Sequence, residues 1–184
     1  MNGDPAIPPP GRTPGAAPII VTATMGAADQ RLFDALRSRH FPPDRNHLRA
    51  HITLFHQLPP SCLSELDGLC RAVVADAAPP AAMVRKVYSL GQGVAFRVDS
   101  PALLEIRQRL ADHFFGMLTA QDRGTPRLHI TVQNKVPSAE ARATLAELER
   151  DFRPRPLAIT GLTAHHYRGG PWETAFERRF RGHR

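Results

Sequence analysis

Between Pro18 and Thr24 the chain reads PIIVTAT, a β-branched run that predicts a strand. Leu32, Phe33 and Leu36 then recur at helical spacing over residues 27–40, and Phe41-Pro-Pro-Asp44 ends that helix. Residues 48–56 alternate polar with apolar positions and read as a second strand. Ser61 offers an N-cap to a helix carrying Leu63, Leu66, Leu69 and Val73 on one face, and residues 81–89 read as a third strand. The same order begins again at Gly93, where GVAFRVDS predicts a strand. Ser100-Pro101 supplies an N-cap followed by proline at the first helical position, and the helix it opens carries Leu103, Ile106, Leu110 and Phe114 inward. A strand over 127–134 and a helix capped by Ser138, with Leu145 and Leu148, come next. Two last strands, near 156–167 and 173–180, are joined by the turn Arg168-Gly-Gly-Pro171. The pattern is β-α-β-α-β written twice, with an extra strand at the end. It predicts a duplicated, bilobed α+β fold: two antiparallel sheets facing a central cleft, with helices on the outer faces.

The duplication extends to polar residues. Arg49 to Ser61 reads RAHITLFHQLPPS and Arg127 to Ser138 reads RLHITVQNKVPS, with His51 and His129 offset by 129 − 51 = 78 residues. On a strand, residues two apart point the same way, roughly 7 Å from one another. Arg49, His51, Thr53 and Phe55 therefore share one face, as do Arg127, His129, Thr131 and Gln133. The opposite faces, Ala50-Ile52-Leu54 and Leu128-Ile130-Val132, are apolar and suited to burial against helices. If a pseudo-two-fold axis relates the halves, both polar faces converge on one cleft. Shared packing explains repeated apolar residues; it explains less readily why both outward His-Thr pairs recur. Histidine titrates near neutrality, so one imidazole can act as base while the other acts as acid. Threonine hydroxyls and arginines can hold phosphate oxygens. This is a metal-free set of groups for in-line attack on a phosphodiester.

With HITL at His51 and HITV at His129, the sequence resembles the two-histidine phosphoesterases, the 2′-5′ RNA ligase-like or RNA 2′,3′-cyclic phosphodiesterase family, whose signature is a pair of His-h-Thr-h motifs with h hydrophobic. The resemblance covers most of the chain after residue 17. It implies a bilobed fold with both motifs at a central groove, and opening of a 2′,3′-cyclic phosphate on an RNA end or nucleotide. His51 and His129 would be the acid–base pair, and Thr53 and Thr131 would hold phosphate oxygens. Some relatives carry an arginine shortly after the second motif, where this chain has Asn134 and Lys135, so Lys135 is the cation expected there. Arg49 and Arg127 are expected near the cleft mouth, placed for flanking phosphates. A non-catalytic RNA- or nucleotide-binding protein on the same fold, and reversible 2′-5′ RNA ligation, are the alternatives.

Composition adds little that conflicts. A net charge of +7, with all but two of the 24 basic residues arginine, favours a polyanionic partner. Cys62 and Cys70 have neither redox nor zinc spacing, which together with the absence of a disulfide framework predicts a cytoplasmic protein. No stretch has the roughly 18 apolar residues of a membrane span, and a monomer is expected. The Pro- and Gly-rich opening predicts a disordered leader over 1–17 and a single bilobed domain over 18–184, with halves of about 18–90 and 91–184. Among weaker candidates, His56 should face away from the cleft if its strand is regular. Tyr167 is a candidate for stacking on a base, and Trp172 reads as a packing anchor. No metal-ligand spacing accompanies His165-His166, no cofactor is expected, and no phosphate-binding GxxxxGK[ST] loop is present.

Overall fold

The computed structural model of the chain describes residues 17–181, so the expected leader lies outside the described residues except for Ala17. The first half has the predicted order of elements: β1 (Ile19–Met25), α1 (Ala27–His40), β2 (Ile52–Leu58), α2 (Leu63–Asp76) and β3 (Ala82–Ser89), but β2, expected over 48–56, starts only at Ile52, so Arg49 and His51 lead into it. The second half gives β4 (Val94–Asp99), α3 (Pro101–His113), the single turn α4 (Ala120–Arg123), β5 (His129–Gln133), α5 (Ser138–Asp151), β6 (Arg155–Leu157), β7 (Ile159–His166) and β8 (Glu173–Arg179). Two four-stranded antiparallel sheets result, ordered β2-β1-β7-β8 and β5-β4-β3-β6. The α+β architecture is the one the pattern predicts.

The sheets do not follow the sequence halves. β3, from the first half, pairs with β4, while β7 from the second half pairs with β1. The run expected as one strand near 156–167 breaks at Ala158, and its two pieces join different sheets. Asp29 in the first turn of α1 holds that break: it accepts from the Ala158 backbone N–H at 2.8 Å and from Arg155 Nη2 at 2.7 Å. Helices are exchanged too. α1 lies between β1 and β2 in sequence, yet packs on β5 of the other sheet. Its Phe33 meets Phe96 of β4 edge-on, with ring centroids 5.2 Å apart. α2 packs on β7 and β8, and α5 on β3 and β4.

Helix starts match the sequence reading only in part. Ser100 caps α3, accepting from Leu103 N. Ser61 lies instead within a 3₁₀ turn ahead of α2, and Ser138 is the first residue of α5; neither makes a capping bond. In both cases a proline, Pro59 or Pro137, already occupies the entry position with extended backbone, which leaves the serine inside the first turn. Cys62 and Cys70 are buried and unbridged, and burial pushes the Cys70 thiol up to about 12. No helix among the described residues is long and apolar enough to cross a membrane.

β5 is seated by a close approach at Gly93. A Cβ there would lie 2.1 Å from the Gln133 carbonyl oxygen and 2.6 Å from Asn134 Cα, so only glycine lets β4 begin alongside the end of β5. Gly93→Ala is expected to lower unfolding free energy by about 1–3 kcal/mol in urea titration, as for overpacked cores. Gly116→Ala, where a Cβ meets nothing within 4 Å, should stay within about 0.5 kcal/mol of the parent.

Candidate functional site

β2 and β5 occupy corresponding edges of the two sheets, and each has an extra residue at the same motif position. Thr53 pairs with Thr22 and Phe55 with Val21, so Leu54 is the additional residue of β2. Thr131 pairs with Ala95 and Gln133 with Val94, so Val132 is the additional residue of β5. Each bulge resets the alternation that the sequence reading assumed. Phe55, expected on the cleft face, is wholly buried, and Gln133 turns inward to donate to Thr144 Oγ1 of α5 at 2.9 Å. A further shift between Phe55 and Leu58 keeps β2 irregular. His56, expected to face away, lines the same cavity as His51 and Thr53.

That cavity, of about 270 Å³, is walled by His51, Thr53, His129 and Thr131, with Arg127 beside them. It falls just below the roughly 300–1,000 Å³ typical of small-molecule sites. The two imidazoles are held alike. His51 Nδ1 lies 2.8 Å from the Arg49 carbonyl oxygen, and His129 Nδ1 lies 2.7 Å from that of Arg127. A carbonyl only accepts, so Nδ1 carries the proton in both rings and the basic lone pair sits on Nε2. The residue two before each histidine thus contributes its backbone, which no side-chain pattern announces.

The side chains of the expected auxiliary residues are placed less uniformly. Arg49 lies outside the cavity, in an adjoining hollow, where Nε and Nη2 donate to Asp34 Oδ2 at 2.9 and 2.8 Å. Lys135 is carried away from the histidines by a tight turn with φ of 61°, and lines a groove beside the end of α1. Tyr167 is half-buried, its N–H bonded to the Pro18 carbonyl, and it lines neither the cavity nor the adjoining hollow. Other aromatic rings stand by the motif histidines. Trp172 lies 4.6 Å from the His51 ring, and Tyr88 meets His129 edge-on at 6.4 Å. Trp172 was legible only as an anchor after a Gly-Gly-Pro turn. Tyr88 could be found only by knowing that β3 pairs with β4.

The hollow beside His51 contains Thr22, Thr24, Thr163, His165 and Trp172. Thr24 and Thr163 share a hydrogen bond of 2.7 Å across β1 and β7, and His165 Nε2 lies 3.1 Å from Thr22 Oγ1. His165 Nδ1 is buried with no partner among the described residues. Burial, and then the charge of nearby His51, bring its pKa down to about 4. Among the described residues no group of three or more His, Cys, Asp or Glu is arranged to hold a metal ion.

A consequence for acid stability follows. The unfolded chain takes up a proton on His165 near pH 6.5, whereas the folded chain refuses it until about pH 4. Stability present above pH 6.5 is therefore lost as pH falls through that window. Urea midpoints at pH 7 and pH 5 should show a larger acid loss for the parent than for His165→Gln; equal losses would remove His165 from the account.

The model of the 2′-5′ RNA ligase superfamily matches residues 26–171, a span that contains both His-Ile-Thr strands. No curated protein matches the sequence. Among solved structures, TT0787 of Thermus thermophilus superposes with a TM-score of 0.62 at 13% identity, covering 91% of this chain and 100% of that one. E. coli LigT complexed with 3′-AMP gives 0.58 at 15% identity, over 91% of this chain and 99% of its own. LigT complexed with NADP+ gives 0.55 at 16% identity, over 90% and 99%. At such identities the superpositions speak for the fold, and the family match carries the assignment. The chain belongs to the 2′-5′ RNA ligase superfamily.

Proposed function

We propose that the protein hydrolyses a 2′,3′-cyclic phosphate on an RNA end or nucleotide, with His51 and His129 as its acid–base pair. The observation that carries this reading is the matched state of the two imidazoles. Both donate Nδ1–H to a backbone carbonyl, and both line one cavity with Thr53 and Thr131. One Nε2 takes a proton from water as its oxygen attacks phosphorus. The P–O bond to the 2′ or the 3′ oxygen breaks, and the other imidazole, protonated, gives that oxygen its proton. The product is a phosphomonoester beside a free hydroxyl, and proton exchange with solvent resets the pair. The Thr53 and Thr131 hydroxyls donate to the non-bridging oxygens, where negative charge accumulates. Arg127 adds positive charge at the same wall.

Nucleotides as substrate fit the net charge of +7, and fit the solved LigT complexes with 3′-AMP, ATP and NADP+. The family's description names ligation, and the same in-line step accommodates it: a 5′-hydroxyl of a second RNA replaces water as nucleophile. The deciding assay is a panel of 2′,3′-cyclic nucleotides and cyclic-phosphate-ended RNAs with EDTA present, with products separated into phosphomonoesters and joined strands. Phosphomonoester formation in EDTA is expected; joined strands alone would replace hydrolysis by ligation.

His51→Ala and His129→Ala should each lower turnover by about 10²–10⁴, the range for loss of acid or base assistance. The double variant should lose far less than the product of the two, since the pair acts as a unit. Full activity in either single variant would sink the assignment. Thr53→Val and Thr131→Val keep the branched shape without the donor, so kcat/KM should fall while thermal stability is largely kept. An unchanged specific activity of the folded fraction would make those hydroxyls structural.

A further inference from the structure

Arg107 projects from α3 and is 2% exposed, one of the largest fully buried side chains in the molecule. A guanidinium buried this deeply needs partners for five N–H donors. Nε donates to the Leu54 carbonyl at 3.4 Å, Nη2 donates to the Asp122 carbonyl, and the ring of Phe55 lies under Cζ at 4.6 Å. Nη1 is buried and has no partner among the described residues. The fork is planar, so with its Nε–Nη2 edge on those carbonyls, Nη1 is left on the other edge. Arg107 is also part of the wall of the cavity that holds both motif histidines.

The nearby carboxylate is spent elsewhere. Asp122, 1% exposed, accepts from the His56 N–H at 3.0 Å, from the Gln57 N–H at 2.9 Å and from His56 Nδ1 at 3.0 Å. Burial pushes the Asp122 carboxyl up, but these bonds more than offset it and hold the group below the ordinary carboxylate value. With Nδ1–H given to Asp122, the His56 ring is fixed and its Nε2 is left on the opposite edge, where it donates to an anion in the imidazolium form. His56 and Arg107 thus wall the cavity together, alongside Gln121 and Thr125.

The buried arginine of the other half, Arg37, does not line this cavity. Arg37 of α1, 3% exposed, donates Nε to Asn46 Oδ1 and the Leu48 carbonyl, and Nη1 to the Thr131 carbonyl. The residue 78 positions after His56 is Asn134, whose Oδ1 accepts from Lys135 N. Of the two buried arginines, only Arg107 lines the cavity, so the duplication that pairs the histidines leaves the cavity with one buried cation in its wall.

We propose that the His56–Arg107 end of the cavity is a second anion subsite, which takes the phosphate next to the reacting one and so fixes the direction in which the substrate lies. This rests on the cyclic-phosphate reading above. The phosphate is either the 5′-phosphate of a mononucleotide or the phosphodiester joining the terminal nucleotide to an RNA.

Three substrates separate these sources: a nucleoside 2′,3′-cyclic phosphate, the same compound with a 5′-phosphate, and a dinucleotide ending in the cyclic phosphate. Charge-assisted bonds from a buried guanidinium should give the added phosphate an advantage of about tenfold or more in kcat/KM. In His56→Gln the ratio between substrates should fall toward one, a change that a purely structural role for His56 would not produce. Arg107→Lys keeps a charge but loses the fork, and should reduce the ratio too. Because Arg107 braces the fold, its result counts only where circular dichroism and melting match the parent, and His56→Gln carries the test otherwise. An advantage shared by both phosphorylated substrates assigns the subsite to any flanking phosphate; an advantage confined to one of them identifies that source. An equal kcat/KM across all three, or an undiminished ratio in a folded His56→Gln, overturns the proposal. If none of the three is turned over, the reading of function fails by itself. Calorimetry with a nucleoside 3′,5′-bisphosphate against the 3′-monophosphate then still tests the subsite, and equal affinities reject it.

Discussion

Two buried arginines, each reaching from a helix of one half to the motif strand of the other, hold the cleft together. Arg37 of α1 donates to the Thr131 carbonyl in β5, and to Asn46 and Leu48 on the approach to β2. Arg107 of α3 donates to the Leu54 carbonyl in β2, and to the Asp122 carbonyl on the approach to β5. Hydrogen bonds to a charged group contribute about 1.5–3 kcal/mol each when buried, and losing one leaves a buried carbonyl unsatisfied. An exposed pair such as Arg49–Asp34, with the arginine side chain 73% exposed, contributes at most about 1 kcal/mol. The crossed braces therefore outweigh surface pairing in setting how the two sheets sit. They act on main chain within the motifs, so they fix β2, just ahead of which His51 lies, and β5, which begins at His129, without occupying those side chains.

The crossing also explains which parts of the molecule could be read from the sequence. Periodicity gave β1, α1 and β3 almost to the residue, because each buries a regular apolar face. It could not give sheet membership, since the apolar pattern of 156–167 is the same whether one strand or two use it. What divides that run is remote: Asp29, over a hundred residues earlier, bonds the main chain at Ala158. The paired His-Ile-Thr stretches were legible as a candidate site because polar residues repeated where packing gave no reason for repetition.

The bulges at Leu54 and Val132 mark where strand parity stops being a guide. Up to Thr53 and Thr131 the alternation holds, and both threonines line the cavity with their histidines. One residue later the count slips, so Phe55 enters the core under the Arg107 guanidinium and His56 enters the cavity. No local composition signals this, because Leu54 and Val132 are ordinary strand residues. The partner strands force it: Val21 and Val94 must meet Phe55 and Gln133 while Thr22 and Ala95 meet the threonines. An extra residue re-aims side chains at the end of a motif, a use to which bulges beside functional sites are suited.

Duplication poses a chemical difficulty as well as supplying two histidines. The in-line displacement proposed above needs one imidazole to accept a proton while its twin donates one, yet the two rings share a tautomer and a backbone partner two residues back. Their difference has to come from what surrounds them. His51 has Trp172 against its ring, and Trp172 in turn lies 5.3 Å from His165, whose proton affinity is suppressed by burial and by His51 itself. That third imidazole stays neutral at neutral pH, so it crowds His51 without adding a competing positive charge. His129 has instead the edge of Tyr88, whose hydroxyl is pushed up by burial and stays protonated, and Arg127 shares its wall of the cavity. The two equivalent rings thus differ in their neighbours: an indole and a neutral imidazole beside His51, a phenol beside His129. The scaffold provides the symmetry, and the borrowed strands β3 and β7–β8, which bring Tyr88 and His165, provide the means of breaking it.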